Sequence, residues 1–182
     1  MNELSLYILD LTENSIHADS TMVNLTINED SELDLLNILL VDDGRGMSEE
    51  TLKKVTDPFF TTRTTRKVGL GIPLFKELCE LCEGSFDITS TVGVGTKIDA
   101  KFKLSSIDLP PIGNIVDTFY ALAANEENVD IEFTYIKNKK EFKINTKEIK
   151  EILDGVPLNE PVVMDWIKDF VTNGLREINA YK

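Results

Sequence analysis

Seven of the ten glycines fall between Gly44 and Gly95. Glycine loses more conformational freedom on ordering than any other residue, so a cluster marks tight turns and close backbone approach. A fold for this chain has to place Gly44 with Gly46, Gly69 with Gly71, and Gly93 with Gly95 at such turns. The functional residues are to be sought beside them. Composition narrows what that function can be. Lys and Arg total 19 against 32 Asp and Glu, a net charge of −13. That excludes a general nucleic-acid binder or an anionic-membrane binder, since both need a basic surface. No apolar run approaches the roughly 20 residues of a membrane-spanning helix. The start, Met1-Asn2-Glu3, lacks the basic and apolar stretches of a signal peptide. The expectation is a cytoplasmic protein with neither nucleic acid nor membrane as partner.

Periodicity gives the elements. Leu4, Ile8, Leu11 and Ser15 lie on one helical stripe, widened by Tyr7 and Leu9, and predict a helix over 3–18. Residues 22–28 alternate as a strand, and the apolar run 36–41 reads as a buried central strand. A short helix follows from Ser48 to residue 55. A longer one over 69–83 has Leu70, Leu74, Leu78 and Leu81 on one side, and strands follow over 86–90 and 96–104. The predicted class is α+β, a sandwich of one mixed sheet with helices on one face. Residues 105–111, polar and then Pro110-Pro111, form a seam. Beyond it the pattern predicts a helix over 112–124 and a hairpin of 129–136 with 140–144. Helices over 146–153 and 161–178 complete it, the last capped by Asn159-Glu160. The chain divides into residues 1–105 and a small α+β appendage, 106–182. The appendage aromatics, among them Phe119, Phe133, Tyr135, Trp166 and Phe170, are to be shared between a small core and docking onto the first domain.

Four stretches carry chemistry. Asp10 and Asn14 stand four apart on one helix face, and His17 continues that stripe. A carboxylate beside a carboxamide can support a hydrated Mg²⁺ and a general base. An ordinary solvated polar face gives the same pattern. In Asp42-Asp43-Gly44-Arg45-Gly46-Met47 a strand ends in a carboxylate and two glycines turn the chain. That places an acceptor for an exocyclic amine, although a plain Asp-Gly turn reads alike. Residues 58–76 hold no acid, carry Arg63, Arg66, Lys67 and Lys76, and run into Gly69-Leu70-Gly71. Glycine amides at a helix start with basic neighbours attract phosphate. Gly93-Val94-Gly95-Thr96 turns between two strands. Cys79 and Cys82, three apart on a helix, suit a core better than half a metal site or a redox pair.

In order and spacing these pieces resemble the ATP-binding domain shared by histidine kinases, type II topoisomerases and MutL, the Bergerat fold. The resemblance covers about residues 3–104. Residues 9–18, with Asp10-Leu11-Thr12-Glu13-Asn14, resemble its N box, and Asp42-Asp43-Gly44-Arg45-Gly46 its first glycine box. Asp57-Pro58-Phe59-Phe60-Thr61-Thr62 resembles the F box of the kinase branch, and Gly69-Leu70-Gly71-Ile72 and Gly93-Val94-Gly95-Thr96 the later glycine boxes. The resemblance implies ATP and Mg²⁺ as cofactors. It makes Asn14 the metal ligand and Asp42 the acceptor for the adenine amine. Gly44, Gly46, Met47 and Phe59 would flank the nucleotide, and Thr96 would support the water network at the base. His17, Lys67, Gly69, Leu70 and Gly71 would lie toward the phosphates. Asp10 stands where the ATPase branch has a glutamate and is the candidate general base. Lys67 replaces a glycine usual in kinases and is the candidate phosphate contact. The N box lies so near the start that no dimerising hairpin with a phospho-acceptor histidine is expected before it. Residues 107–113, 123–125 and 129–133 resemble small stand-alone ATP-binding proteins of anaerobic bacteria. Those are associated with iron-only hydrogenase and NADH-oxidising subunits. The implied function is an ATP·Mg-binding regulator acting on a partner protein. The alternatives are a nucleotide-sensing accessory protein of a hydrogenase or redox complex, and a weak ATPase switch.

Overall fold

The computed structural model of the chain describes residues 3–57 and 71–181. Helix α1 (Leu4–Ile16) is followed by strands β1 (Met22–Asp30) and β2 (Leu35–Asp42), helices α2 (Glu49–Val55) and α3 (Gly71–Leu81), and strands β3 (Ser85–Thr91) and β4 (Gly95–Lys103). Then come α4 (Ile115–Ala123), β5 (Asp130–Lys137), β6 (Lys140–Asn145), α5 (Thr146–Leu153) and α6 (Pro161–Glu177). The strands make one mixed sheet in the order β3-β4-β2-β1-β5-β6. All neighbours are antiparallel except β1 and β5, which run parallel with Leu25 beside Phe133.

Strand alternation decides which face is covered. Val23, Leu25 and Ile27 of β1, Leu36, Ile38 and Leu40 of β2, and Ile131, Phe133 and Tyr135 of β5 are buried on one face. Helices α1, α3, α4 and α6 pack together over that face. The other face carries Asn24, Thr26, Asn37 and Thr134 in partial contact with solvent. β2 is central, as its apolar run predicts, but it is not covered on both sides. Leu35, Leu39 and Val41 share the open face and are half-buried.

The leucine side predicted for α3 is only partly covered. Leu78 is half-buried against the core and Leu74 and Leu81 are exposed, while Ile72, Phe75, Cys79 and, just past the helix, Cys82 are buried. Phe75 is fully buried among aromatic rings. Phe75 lies 5.4 Å from the ring of Tyr7 and 5.4 Å from that of Phe102. Both cysteines are therefore core residues. Burial pushes the Cys79 thiol up to about 12, so it stays protonated. The cap predicted for α6 also differs. Glu160 gives no side-chain hydrogen bond, and Pro161 in the first turn sets the helix start with its fixed φ.

Residues after the seam are tied to those before it in two places. The carbonyls of Pro111, the last seam residue, and of Ile112 accept from the amides of Leu4 and Ser5, at 3.0 and 2.8 Å. They satisfy donors at the start of α1, where Glu3 provides no side-chain cap. At the far end of β1 the buried Glu29 carboxylate accepts from the Tyr135 hydroxyl and pairs with Lys137 at 2.7 Å. Phe119 and Phe133 stack at 5.4 Å in the same core. Burying a side chain of that size stabilises by about 1.5–3 kcal/mol. Losing several would exceed the margin of a small domain, roughly 5–15 kcal/mol. Urea unfolding of the full chain should therefore be one transition, with Trp166 fluorescence and far-ultraviolet circular dichroism coinciding. A Trp166 signal that changes at lower urea than the dichroism would show that the segment after the seam unfolds separately.

Candidate functional site

β2 delivers Asp42 to the end of the sheet with only 8% of its surface exposed. A buried carboxylate needs donors, and three elements bring them. From α1, Ser15 Oγ donates to Oδ2 at 2.6 Å. From its own turn, Gly44 N donates to Oδ1 at 3.0 Å, and from β4, Thr96 N donates to the same oxygen at 3.2 Å. A carboxylate has about four lone-pair positions, so the three donors among the described residues leave one.

A second hydroxyl holds the neighbouring loops. Ser90 Oγ donates to Gly95 O at 3.0 Å and accepts from Met47 N at 2.8 Å. Its single proton is thus committed, so Thr96 Oγ1, 2.8 Å away, donates to it. Thr96 Oγ1 keeps its lone pairs as acceptors. Behind Asp42, the Asp43 carboxylate accepts from the amides of Thr21 and Met22, at 2.7 and 2.9 Å, and from the Thr21 hydroxyl. Partial burial raises the Asp43 pKa, but these bonds outweigh it and hold the carboxyl below its ordinary value.

The glycines of the first box have protein neighbours on the side a Cβ would occupy. A Cβ on Gly44 would lie 2.7 Å from Ala18 O and 2.8 Å from Ser20 Oγ. Gly46, with φ of +64°, would press a Cβ to 2.0 Å from Thr91 O. These residues let the turn after β2 lie flat against the end of α1 and the β3–β4 turn. Their first task is packing.

Asp10 lies one helical turn before Asn14, and Asn14 is half-buried. The Oδ2 of Asp10 is buried and has no hydrogen-bond partner among the described residues. It faces Gly71 at the start of α3 so closely that a Cβ there would stand 1.8 Å from it. Asp10 and Gly71 are thus neighbours in the fold. His17 caps the end of α1, and its Nε2 lies 3.3 Å from Glu127 Oε1 in an exposed pair. The contact the structure gives His17 is thus with the loop after α4. Met47 packs at the margin of the core. Phe59, Lys67, Gly69 and Leu70 lie outside the described residues.

Sequence reasoning missed Ser15 and Ser90. Ser15 sat in plain view on an otherwise apolar stripe, and a buried hydroxyl needs a partner. Ser90 left no such signal. A separate groove of about 350 Å³ lies between the end of α4 and the loop before α6, lined by Asn125, Lys150 and Pro157 among others. It shares no residue with the Asp42 cluster.

The sequence profile of the histidine kinase-, DNA gyrase B-, and HSP90-like ATPase family matches residues 2–106. A sensor protein of Shewanella frigidimarina is 33% identical over 108 residues, covering 58% of this chain and 16% of that protein. An NtrY-like sensor histidine kinase of Rickettsia felis is 30% identical over 110 residues, covering 60% of this chain and 18% of the kinase. The chain thus spans under a fifth of the length of these relatives. Among solved structures, the MutL ATPase domain of Aquifex aeolicus complexed with ADP aligns with a TM-score of 0.47 and 14% identity. That alignment covers 85% of this chain and 70% of the other. No helix among the described residues is long and apolar enough to cross a membrane.

Replacing Ser15 with alanine removes one of the three donors on Asp42. The expected loss of stability is about 1–3 kcal/mol, the cost of a buried acceptor left short. Urea titration of Ser15→Ala reads it directly, and an unchanged midpoint would mean that the Ser15–Asp42 bond is dispensable.

Proposed function

Because the chain belongs to the histidine kinase-, DNA gyrase B- and HSP90-like ATPase family, we propose that it binds ATP with Mg²⁺ and acts on a partner protein according to nucleotide state. The observation that carries this reading is Asp42, whose carboxylate is fixed by three donors and keeps one acceptor position. The adenine amine is the donor it suits. Thr96 Oγ1, its proton given to Ser90, is an acceptor for a water beside the base. Asn14 offers a neutral oxygen for Mg²⁺, and bound Mg²⁺ would supply positive charge to the phosphates. The orphaned Asp10 oxygen fits that assignment, since a buried carboxylate oxygen without a donor suits a water or a metal-bound water. Gly71, with no Cβ, leaves room for the Asp10 carboxylate. Lys67, Gly69 and Leu70 are assigned to the phosphates by their place in the sequence alone, as Phe59 is to the nucleotide's flank.

The relatives named above are sensor proteins, which supports a regulatory role for the bound state and a protein as the thing regulated. A second reading, a weak ATPase switch, is favoured by one observation, the buried Asp10 oxygen at the start of α3. A carboxylate there can orient or deprotonate a water.

Titration calorimetry tests the reading. Asp42→Asn should weaken ATP binding about 10- to 100-fold, because a charge-assisted bond worth roughly 1.5–3 kcal/mol becomes a mismatched amide contact. Asn14→Ala should remove the dependence of binding on Mg²⁺. Asp10→Asn should leave affinity within about threefold and lower phosphate release, as loss of a general base does. Wild-type affinity and Mg²⁺ dependence in both Asp42→Asn and Asn14→Ala would sink the assignment.

A further inference from the structure

β6 is the last strand of the sheet, so one of its edges has no strand beside it among the described residues. Which amides face that edge follows from the hairpin. Asn138 and Lys139 both have positive φ, and Lys137 faces Lys140 across the turn. A two-residue turn of this kind makes the flanking residues a hydrogen-bonded pair. Bonded and non-bonded pairs then alternate. Tyr135–Phe142 and Phe133–Ile144 are bonded inward, and Glu141 and Lys143 direct their N–H and C=O groups outward.

A strand with outward groups at Glu141 and Lys143 is charge-complementary to itself in one antiparallel register. Centred on Phe142, it sets Glu141 of one chain opposite Lys143 of another, twice, with four backbone hydrogen bonds. Shifting the centre to Glu141 or to Lys143 sets like charges against each other, which is unfavourable. Lys143 already pairs with Glu132 on β5 at 2.9 Å and is half-exposed, so the pairing would extend an existing row of alternating charge.

The helix above that edge is also unfinished. Trp166 is 52% exposed and Phe170 42%, and their rings stack at 5.1 Å. Phe170 lies 5.7 Å from the Phe142 ring, so this aromatic shoulder is the side of α6 turned toward β6. Two large stacked rings above an open strand edge are a surface that burial would stabilise.

We propose that the chain forms a two-fold dimer by antiparallel pairing of β6 with β6 of a second copy, centred on Phe142, with Trp166 and Phe170 of both copies closing over the junction. The Phe142 rings then meet as a cross-strand aromatic pair beneath the two α6 helices. Lysines on an edge strand also serve to keep strands apart, and that alternative makes a distinct prediction.

Sedimentation equilibrium of the full chain over a wide concentration range reads the outcome. The wild type should show a reversible dimer. Glu141→Lys should weaken it at least about tenfold, because both opposed pairs become repulsive. The double variant Glu141→Lys/Lys143→Glu restores the opposition and should return to within about threefold of wild type. Trp166 is the only tryptophan. Its emission should shift to shorter wavelength as the dimer forms. A chain that stays monomeric at every concentration, or a dimer indifferent to the charge swap, would overturn the proposal. So would a dimer that forms without any change in Trp166 emission.

Discussion

A buried carboxylate at the end of the central strand organises the N-terminal part of this molecule. Asp42 is removed from water, and an ionised group there is tolerated only with donors around it. Each such bond to a charged acceptor contributes roughly 1.5–3 kcal/mol. Ser15, Gly44 and Thr96 supply them from α1, the following turn and β4. Those bonds fix the end of α1 against the sheet and set the entry to β4. Gly44 and Gly46 then let the turn lie close enough for the amide of Gly44 to reach back. The candidate site is therefore a consequence of satisfying one buried carboxylate.

The rest of the sheet serves that geometry from a distance. α1 carries both Asp10 and Ser15, so anything that sets its position sets the site. Its first amides are held by the carbonyls of Pro111 and Ile112, and α4 packs along it. β1, which follows α1, is held on its other side by β5 and by the Glu29–Tyr135–Lys137 cluster. The family profile ends at residue 106, yet the sheet runs on through two further strands. Residues after the seam thus support the first half physically. Their outer edge, on the opposite flank from β3, is where a second copy would add.

Much of this was legible in the amino-acid sequence, for reasons that can be given residue by residue. The stripe Leu4, Ile8, Leu11 and Ser15 is buried as its spacing predicts. The mixed α+β sheet and the Asp42–Thr96 neighbourhood follow the motifs. Other features depend on packing that periodicity does not encode. α3 offers a leucine stripe and a mixed stripe, and the fit of Phe75 between Tyr7 and Phe102 selects the second. The run in β2 reads the same whether one face or two are covered. The glycines pointed to close approach without saying that the approaching atoms are Ala18 O and Thr91 O. The parallel pairing of β5 with β1 joins residues about a hundred positions apart, and no local pattern announces it.

In the proposed ATP complex the remaining acceptor position on Asp42 takes the exocyclic amine of adenine. Inosine triphosphate differs from ATP by carrying a carbonyl where adenine has that amine, so the two nucleotides isolate this contact. Direct binding measurements with both should favour ATP by about 10- to 100-fold, since a carbonyl against a buried carboxylate leaves both acceptors unmatched. The preference should collapse in Asp42→Asn, whose amide can donate to the inosine carbonyl. Equal affinity of the unaltered protein for the two nucleotides would contradict the account.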